Sequence, residues 1–140
     1  VAWGDVVYLV GRRGRLVAVD VSQRLVAWTA TLPTGTFTEP AVSPDGVYVF
    51  AGGSIHGFDH DGTRLFEPVG SSSPPAAADG LLFHGDDSLS LMVRDAVTGR
   101  PQGTLDLGAP VTARPIVSGE QVLVGLRDGR MLAAHRAAIR

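Results

Sequence analysis

Cysteine and lysine are both absent from the 140 residues. The first absence excludes a disulfide framework and a thiolate metal site. The second leaves arginine as the sole basic side chain, a bias of the kind GC-rich codons produce and not a functional signal. Net charge is small as well, formally −2, so no long-range field draws the chain to nucleic acid or to an anionic membrane surface. No apolar run approaches the roughly 18 residues that a membrane span requires. No signal peptide is visible either. Residue 1 is valine and not methionine, so a preceding segment, a targeting sequence included, is expected to have been removed.

Glycine and proline are plentiful instead, 18 and 9, and they punctuate short apolar runs in the manner of many strands joined by tight turns. With 44% hydrophobic and 19% charged residues, the chain can bury a core and is not disordered. No segment keeps an i, i+3, i+4 apolar stripe between its glycines, which excludes a helical reading.

Four landmarks recur. The first is an acidic residue in a glycine-containing or neighbouring turn: Gly4-Asp5, Asp45-Gly46, Asp79-Gly80 and Gly119-Glu120, with steps of 40, 34 and 41. Each precedes an apolar, β-branched or aromatic run: Val6 to Val10, Val47 to Phe50, Leu81 to Phe83 and Val122 to Val124. The second is a proline five residues before the acid, at Pro40, Pro74 and Pro115, opening a short strand of small apolar residues. The third closes the next strand at Asp20, Asp59, Asp95 and His135; the strands run Leu16 to Val19, Ile55 to Phe58, Leu89 to Arg94 and Met131 to Ala134. The fourth is a further turn, clearest at Asp61-Gly62 and Thr98-Gly99, leading to outer strands such as Leu25 to Ala30 and Arg64 to Glu67. Four short antiparallel strands in about 40 residues make one blade of a β-propeller. A sandwich has similar strand spacing but does not repeat these landmarks in phase.

The stretch Ala18-Val19-Asp20-Val21-Ser22-Gln23-Arg24-Leu25-Val26-Ala27-Trp28 resembles the PQQ-like (quinoprotein-like) propeller repeat, A-x-D-x-x-T-G-x-x-x-W. Ala18, Asp20 and Trp28 match, while Gln23-Arg24 replaces Thr-Gly. The third copy matches at Asp95, Thr98 and Gly99, with Val93 and Gly103 in place of Ala and Trp. The second copy, Phe58 to Gly62, is one residue shorter, and the fourth has His135 for the aspartate. The resemblance implies that Trp28 lies between neighbouring blades with its N–H paired, and that Asp20 and its counterparts accept hydrogen bonds from the turns that follow them.

Subtracting one repeat places Val1 just inside a first strand and Arg140 where a fourth strand should begin. About three and a half blades are therefore expected, with repeats at approximately 1–37, 38–72, 73–112 and 113–140. Propellers close with about four to eight blades. The expectation is an all-β partial propeller with apolar blade faces left open, a fragment of a larger protein or one completed by another chain.

Two clusters invite chemical readings. His56, Asp59, His60 and Asp61 have the side chains of a divalent-metal site, but Asp59 belongs to the repeat and Asp61-Gly62 to a turn, so they are read as turn. Gly11-Arg12-Arg13-Gly14-Arg15 sets three arginines on one hairpin, read as a solvated turn and not a phosphate loop. His84 and His135 are read as polar packing residues, and no serine sits in a Gly-x-Ser-x-Gly setting. No catalytic, cofactor-binding or metal-ligating residue is assigned, and no cofactor is expected.

The reading that follows is a non-enzymatic scaffold or ligand-sensing module, binding a protein or small ligand at its loops or channel, or associating with itself or with a missing half-ring. The resemblance favours the cell envelope. The alternative is a segment of a PQQ-dependent quinoprotein dehydrogenase, which the resemblance would equip with quinone and calcium; the paired cysteines and tryptophan platform of those enzymes are not recognisable here.

Overall fold

The computed structural model describes residues 1–34 and 38–139. Residue 37, where the first repeat is expected to end, lies outside the described residues. The strands form four antiparallel sheets in chain order. Blade 1 holds β1 (Ala2–Trp3), β2 (Val6–Gly11), β3 (Arg15–Asp20) and β4 (Leu25–Thr31). Blade 2 holds β5 (Ala41–Ser43), β6 (Gly46–Ala51), β7 (Ser54–Phe58) and β8 (Val69–Gly70). Blade 3 holds β9 (Ala76–Ala78), β10 (Leu81–Gly85), β11 (Ser90–Asp95) and β12 (Pro101–Asp106). Blade 4 has three strands among the described residues, β13 (Ile116–Ser118), β14 (Gln121–Gly125) and β15 (Met131–His135). Each sheet is a simple meander, and the first strands of successive blades approach one another, β1 to β5, β5 to β9 and β9 to β13. This is the expected propeller arrangement, with the short strands innermost.

The core is divided in the same way. Tyr8, Leu16 and Ala18 of blade 1 pack on Val47, Val49 and Phe58 of blade 2. Tyr48 and Ile55 of blade 2 meet Leu82 of blade 3. Phe83, Leu91 and Val93 of blade 3 meet Val122 and Val124 of blade 4. Because side chains alternate along a strand, one blade serves two interfaces, which is why its central strands read as continuous apolar runs.

The pairing registers correct the third repeat. Two-residue turns join Trp3 to Val6, Ser43 to Gly46, Ala78 to Leu81 and Ser118 to Gln121. Gly80, not Asp79, thus corresponds to Asp5, Asp45 and Glu120, and Pro75, not Pro74, corresponds to Pro40 and Pro115. The spacing becomes 40, 35 and 40. The cause is turn chemistry. Asp79 and Gly80 both have positive φ, 52° and 75°, so both lie inside the turn, whereas Gly46 already belongs to its strand.

Two strand expectations also change. Leu89 lies in the turn at φ 65°, and the strand begins at Ser90. Arg64 to Glu67 is not a strand: Arg64 forms one isolated bridge to Phe58, and regular pairing resumes only at Val69, after Pro68, which has no N–H to donate.

Gly14 closes the blade 1 hairpin at φ +74°, and a Cβ there would collide with the carbonyl of Leu32. Gly14→Ala is expected to destabilise the chain by about 2 kcal/mol, from left-handed strain plus the clash, read as a lower urea midpoint at unchanged m.

Candidate functional site

The repeat aspartates are committed to turns. Asp20 Oδ1 accepts from the Ser22 hydroxyl and the Gln23 N–H, Asp59 Oδ1 from the N–H groups of Asp61 and Thr63, and Asp95 Oδ1 from those of Val97 and Thr98. These bonds favour the ionised form, so the carboxyls of Asp20 and Asp95 titrate below the usual range; the Gln23 and Thr98 N–H groups contribute most. His135 performs the same task with a different atom, its Nδ1 accepting from the Ala137 N–H at 3.1 Å. Trp28 lies between blades 1 and 2, with Nε1–H donating to the His60 carbonyl at 2.9 Å and the indole lying against Gly62. Phe66 covers Gly99 one blade later, so these two turn glycines each seat an aromatic ring of the preceding blade.

The structure separates the histidines that the sequence clusters. His60 Nε2–H donates to the Ser43 carbonyl at 2.8 Å, and its Nδ1 accepts the Tyr8 hydroxyl at 2.6 Å. His56 is buried on β7, with Nε2 facing the Ala51 carbonyl at 3.3 Å, and burial lowers its pKa. No group of three metal-type side chains assembles among the described residues. His84 is fully buried in blade 3. Its Nε2 accepts from Arg94 Nε at 3.0 Å, which assigns the proton to Nδ1, 2.6 Å from the Gly85 carbonyl and 3.0 Å from the Ser71 hydroxyl.

Beside a concavity of about 300 Å³ against Tyr8, Leu9 and Val10, two more are present among the described residues. One, of about 370 Å³, lies in the arginine hairpin, between Arg12, Arg13, Arg15 and Thr31. The other, of about 480 Å³, lies against the inner strands and is lined by Trp3, Ala41, Ala76 and Arg114. Arg114 bonds the Glu39 carbonyl, and burial lowers its pKa. Arg114 carries no sequence signal beyond its place before Pro115.

Apolar side chains are exposed on the first and last blades among the described residues. Leu16, Ile55 and Leu91 occupy one place in blades 1 to 3 and are fully buried, whereas Met131, at the same place in blade 4, is 72% exposed. Val49, His84 and Val124 are fully or almost fully buried against the preceding blade, whereas Leu9, their equivalent in blade 1, is 52% exposed. Val26 on blade 1 and Ile116 on blade 4 extend the two surfaces. Aligning the copies by one repeat sets Leu9 on Val49, but both are apolar, and only the structure separates the exposed one from the buried one.

The family model described as outer membrane protein assembly factor BamB, a PQQ-like repeat model, matches residues 1–78. The chain belongs to this family. No curated protein matches it. Among solved structures, the PQQ-like repeats superpose on BamB from Moraxella catarrhalis with a TM-score of 0.81 at 22% identity, over 97% of this chain and 44% of that one. The computationally designed Ika4 protein gives 0.76 at 17% identity, over 94% of this chain and 85% of that one. Hsv2 of Kluyveromyces lactis gives 0.77 at 16% identity, over 94% and 44%. This PQQ-like chain therefore spans less than half the length of the Moraxella and Kluyveromyces proteins, and at these identities the likeness is one of fold.

Proposed function

We propose that the chain is a non-enzymatic, protein-binding scaffold of the cell envelope, acting as part of a larger ring. The observation that supports it is the match of residues 1–78 to the family described as an outer membrane protein assembly factor. Leu9 and Met131 are exposed on the end blades of the described residues. Exposed apolar surface of this kind is what a protein interface covers. The polar side chains support the same reading, because Oδ1 of each repeat aspartate and both ring nitrogens of His60 and His84 are engaged within the fold. The envelope assignment rests on the description of the matching family. No helix among the described residues is long and apolar enough to cross a membrane.

A photoreactive residue placed at 9 or at 131 and activated in the source cell is expected to give covalent adducts to protein. The same residue at the buried position 16 should give none beyond the chain itself. Absence of any intermolecular adduct from both exposed positions would overturn the scaffold reading.

A further inference from the structure

We propose, independently of the scaffold reading, that the seam between blades 2 and 3 is an acid-released joint: protonation of His84 parts these two blades while the other two seams stay closed. Of the three seams, this one is the least apolar. Among the described residues, five buried apolar side chains form its core, Ala41, Tyr48, Ile55, Leu82 and Ala96, and two of them are alanines. Eight and nine fill the seams on either side. In a repeat array each unit is held mainly by its neighbours, so the seam with the smallest core opens first.

Buried polar groups occupy the rest of this seam. His84 stands where blades 2 and 4 carry Val49 and Val124, and it is fully buried. Ser71 and Ser73, in the linker of residues 71–75, are buried as well. The Ser71 hydroxyl lies 3.0 Å from Nδ1 of the ring. The Ser72 N–H donates to the Gly85 carbonyl at 3.1 Å, and the Gly85 N–H donates to the Ser73 hydroxyl at 2.9 Å. Blade 3 thus holds the linker through bonds gathered around one ionisable ring.

The charged groups acting on His84 are Arg94 of β11, whose Nε–H occupies Nε2, and Asp86 of the hairpin after β10. The linker contributes only serines and prolines. Blade 2 contributes Tyr48, whose hydroxyl donates to the Ala96 carbonyl at 2.8 Å. Burial raises that phenol to about 12, with Asp45 and Asp95 acting in the same direction, so it stays protonated in acid. A second proton on His84 must displace the Arg94 Nε–H and sets two cations together away from water. Parting the blades lets water reach both. The ring takes its proton more readily in the open seam than in the closed one. The closed form therefore keeps its full advantage above about 6.5 and loses it as the pH falls toward 4. His56 is buried in the seam between blades 1 and 2, but its neighbour Arg64 is exposed and can turn into water, and Trp28 ties those blades.

The test is hydrogen exchange followed by NMR on the whole chain at about pH 7 and about pH 4.5, corrected for intrinsic rates. Each seam has its own reporters. The Trp28 indole N–H, bonded to the His60 carbonyl, reports the first. The Ser72 and Gly85 N–H groups report the second, and the Arg127 N–H, bonded to the Pro110 carbonyl, reports the third. Protection of Ser72 and Gly85 is expected to fall at least about tenfold between the two conditions, and that of Trp28 and Arg127 less than about threefold. His84→Val, which installs the residue type of the flanking blades, is expected to abolish the selective fall. Equal losses at all three seams overturn the proposal, as does undiminished protection of Ser72 and Gly85 in acid. A selective fall that survives in His84→Val overturns the part given to His84. Should that variant fail to fold, the comparison of the three seams in the native chain decides.

Discussion

Trp28→Ala is expected to lower the unfolding free energy by about 3 kcal/mol or more, a large share of the 5–15 kcal/mol typical of a domain. The indole joins two blades. Its ring centroid lies 5.8 Å from that of Tyr8 in its own blade and 6.0 Å from that of Phe58 in the next. Its face lies on Gly62, where an added Cβ would sit 2.7 Å from the ring. Truncation leaves a cavity at the interface and deprives the His60 carbonyl of its donor. Trp28→Phe keeps most of the ring and loses the N–H, so it should cost about 1–2 kcal/mol, the lost bond together with partial repacking. Gly62→Ala should be damaging when Trp28 is present and less so in the Trp28→Ala background, where the clash is gone and only the strain of φ +90° remains. Urea unfolding followed by circular dichroism measures all four, since Trp3 would confuse a fluorescence signal. A loss below about 1 kcal/mol for Trp28→Ala would mean that the indole does not hold the two blades together.

That role was legible from residues 18 to 28, as was the part played by Asp20, because both are local. The aspartate acts within its own turn, and the tryptophan stands at a fixed distance along a hairpin. His135 shows the limit of such reading. It differs chemically from aspartate, yet it offers an acceptor lone pair at the same point of the repeat, and only geometry reveals the equivalence. The slip in the third repeat has the opposite origin. An Asp-Gly pair looks the same whether its glycine sits inside the turn, as Gly80 does, or begins the strand, as Gly46 does, and the difference lies in backbone dihedrals set by the flanking strands. Pro68, directly after the run expected as a strand, is a sequence feature that opposes regular pairing there, since proline has no N–H to donate.

The open faces were legible as a consequence and not as residues. Counting repeats implies that the end blades have uncovered sides, but Leu9 and Val49 are both apolar residues in apolar strands. Their sequence neighbourhoods do not distinguish a face that meets another blade from one that does not. That distinction is tertiary, and it separates 52% exposure from none.

Between pH 7 and pH 4 the native chain is expected to lose about 3 kcal/mol of stability through His84. Desolvation by burial is the main cause, and it pushes the imidazole from 6.5 down to about 4, partly offset by the Gly85 carbonyl and reinforced by the Arg94 guanidinium. Arg94 Nε–H already occupies the Nε2 lone pair, so a second ring proton would have to displace it and would stand beside a cation. The folded pKa lies below the unfolded one, so in this window the unfolded chain binds more protons and stability rises with pH. The contribution is complete above about 6.5, falls away as the pH drops toward 4 and is constant below that. His56 adds to the slope in the same direction, because burial lowers its pKa too. The aspartates act elsewhere: Asp20, Asp95 and Asp128 have lowered values, so their stabilisation is present above the ordinary 3.8 and is lost only as the pH falls below it. His84→Gln cannot titrate, and it should flatten most of the dependence between pH 6.5 and 4 while starting from a lower stability at pH 7, since an amide does not reproduce both ring contacts. Urea midpoints across that range, native against His84→Gln, measure the difference. Equal slopes for the two proteins would mean that His84 is accessible to solvent protons in the folded state, and that the bond from Arg94 does not hold its second nitrogen.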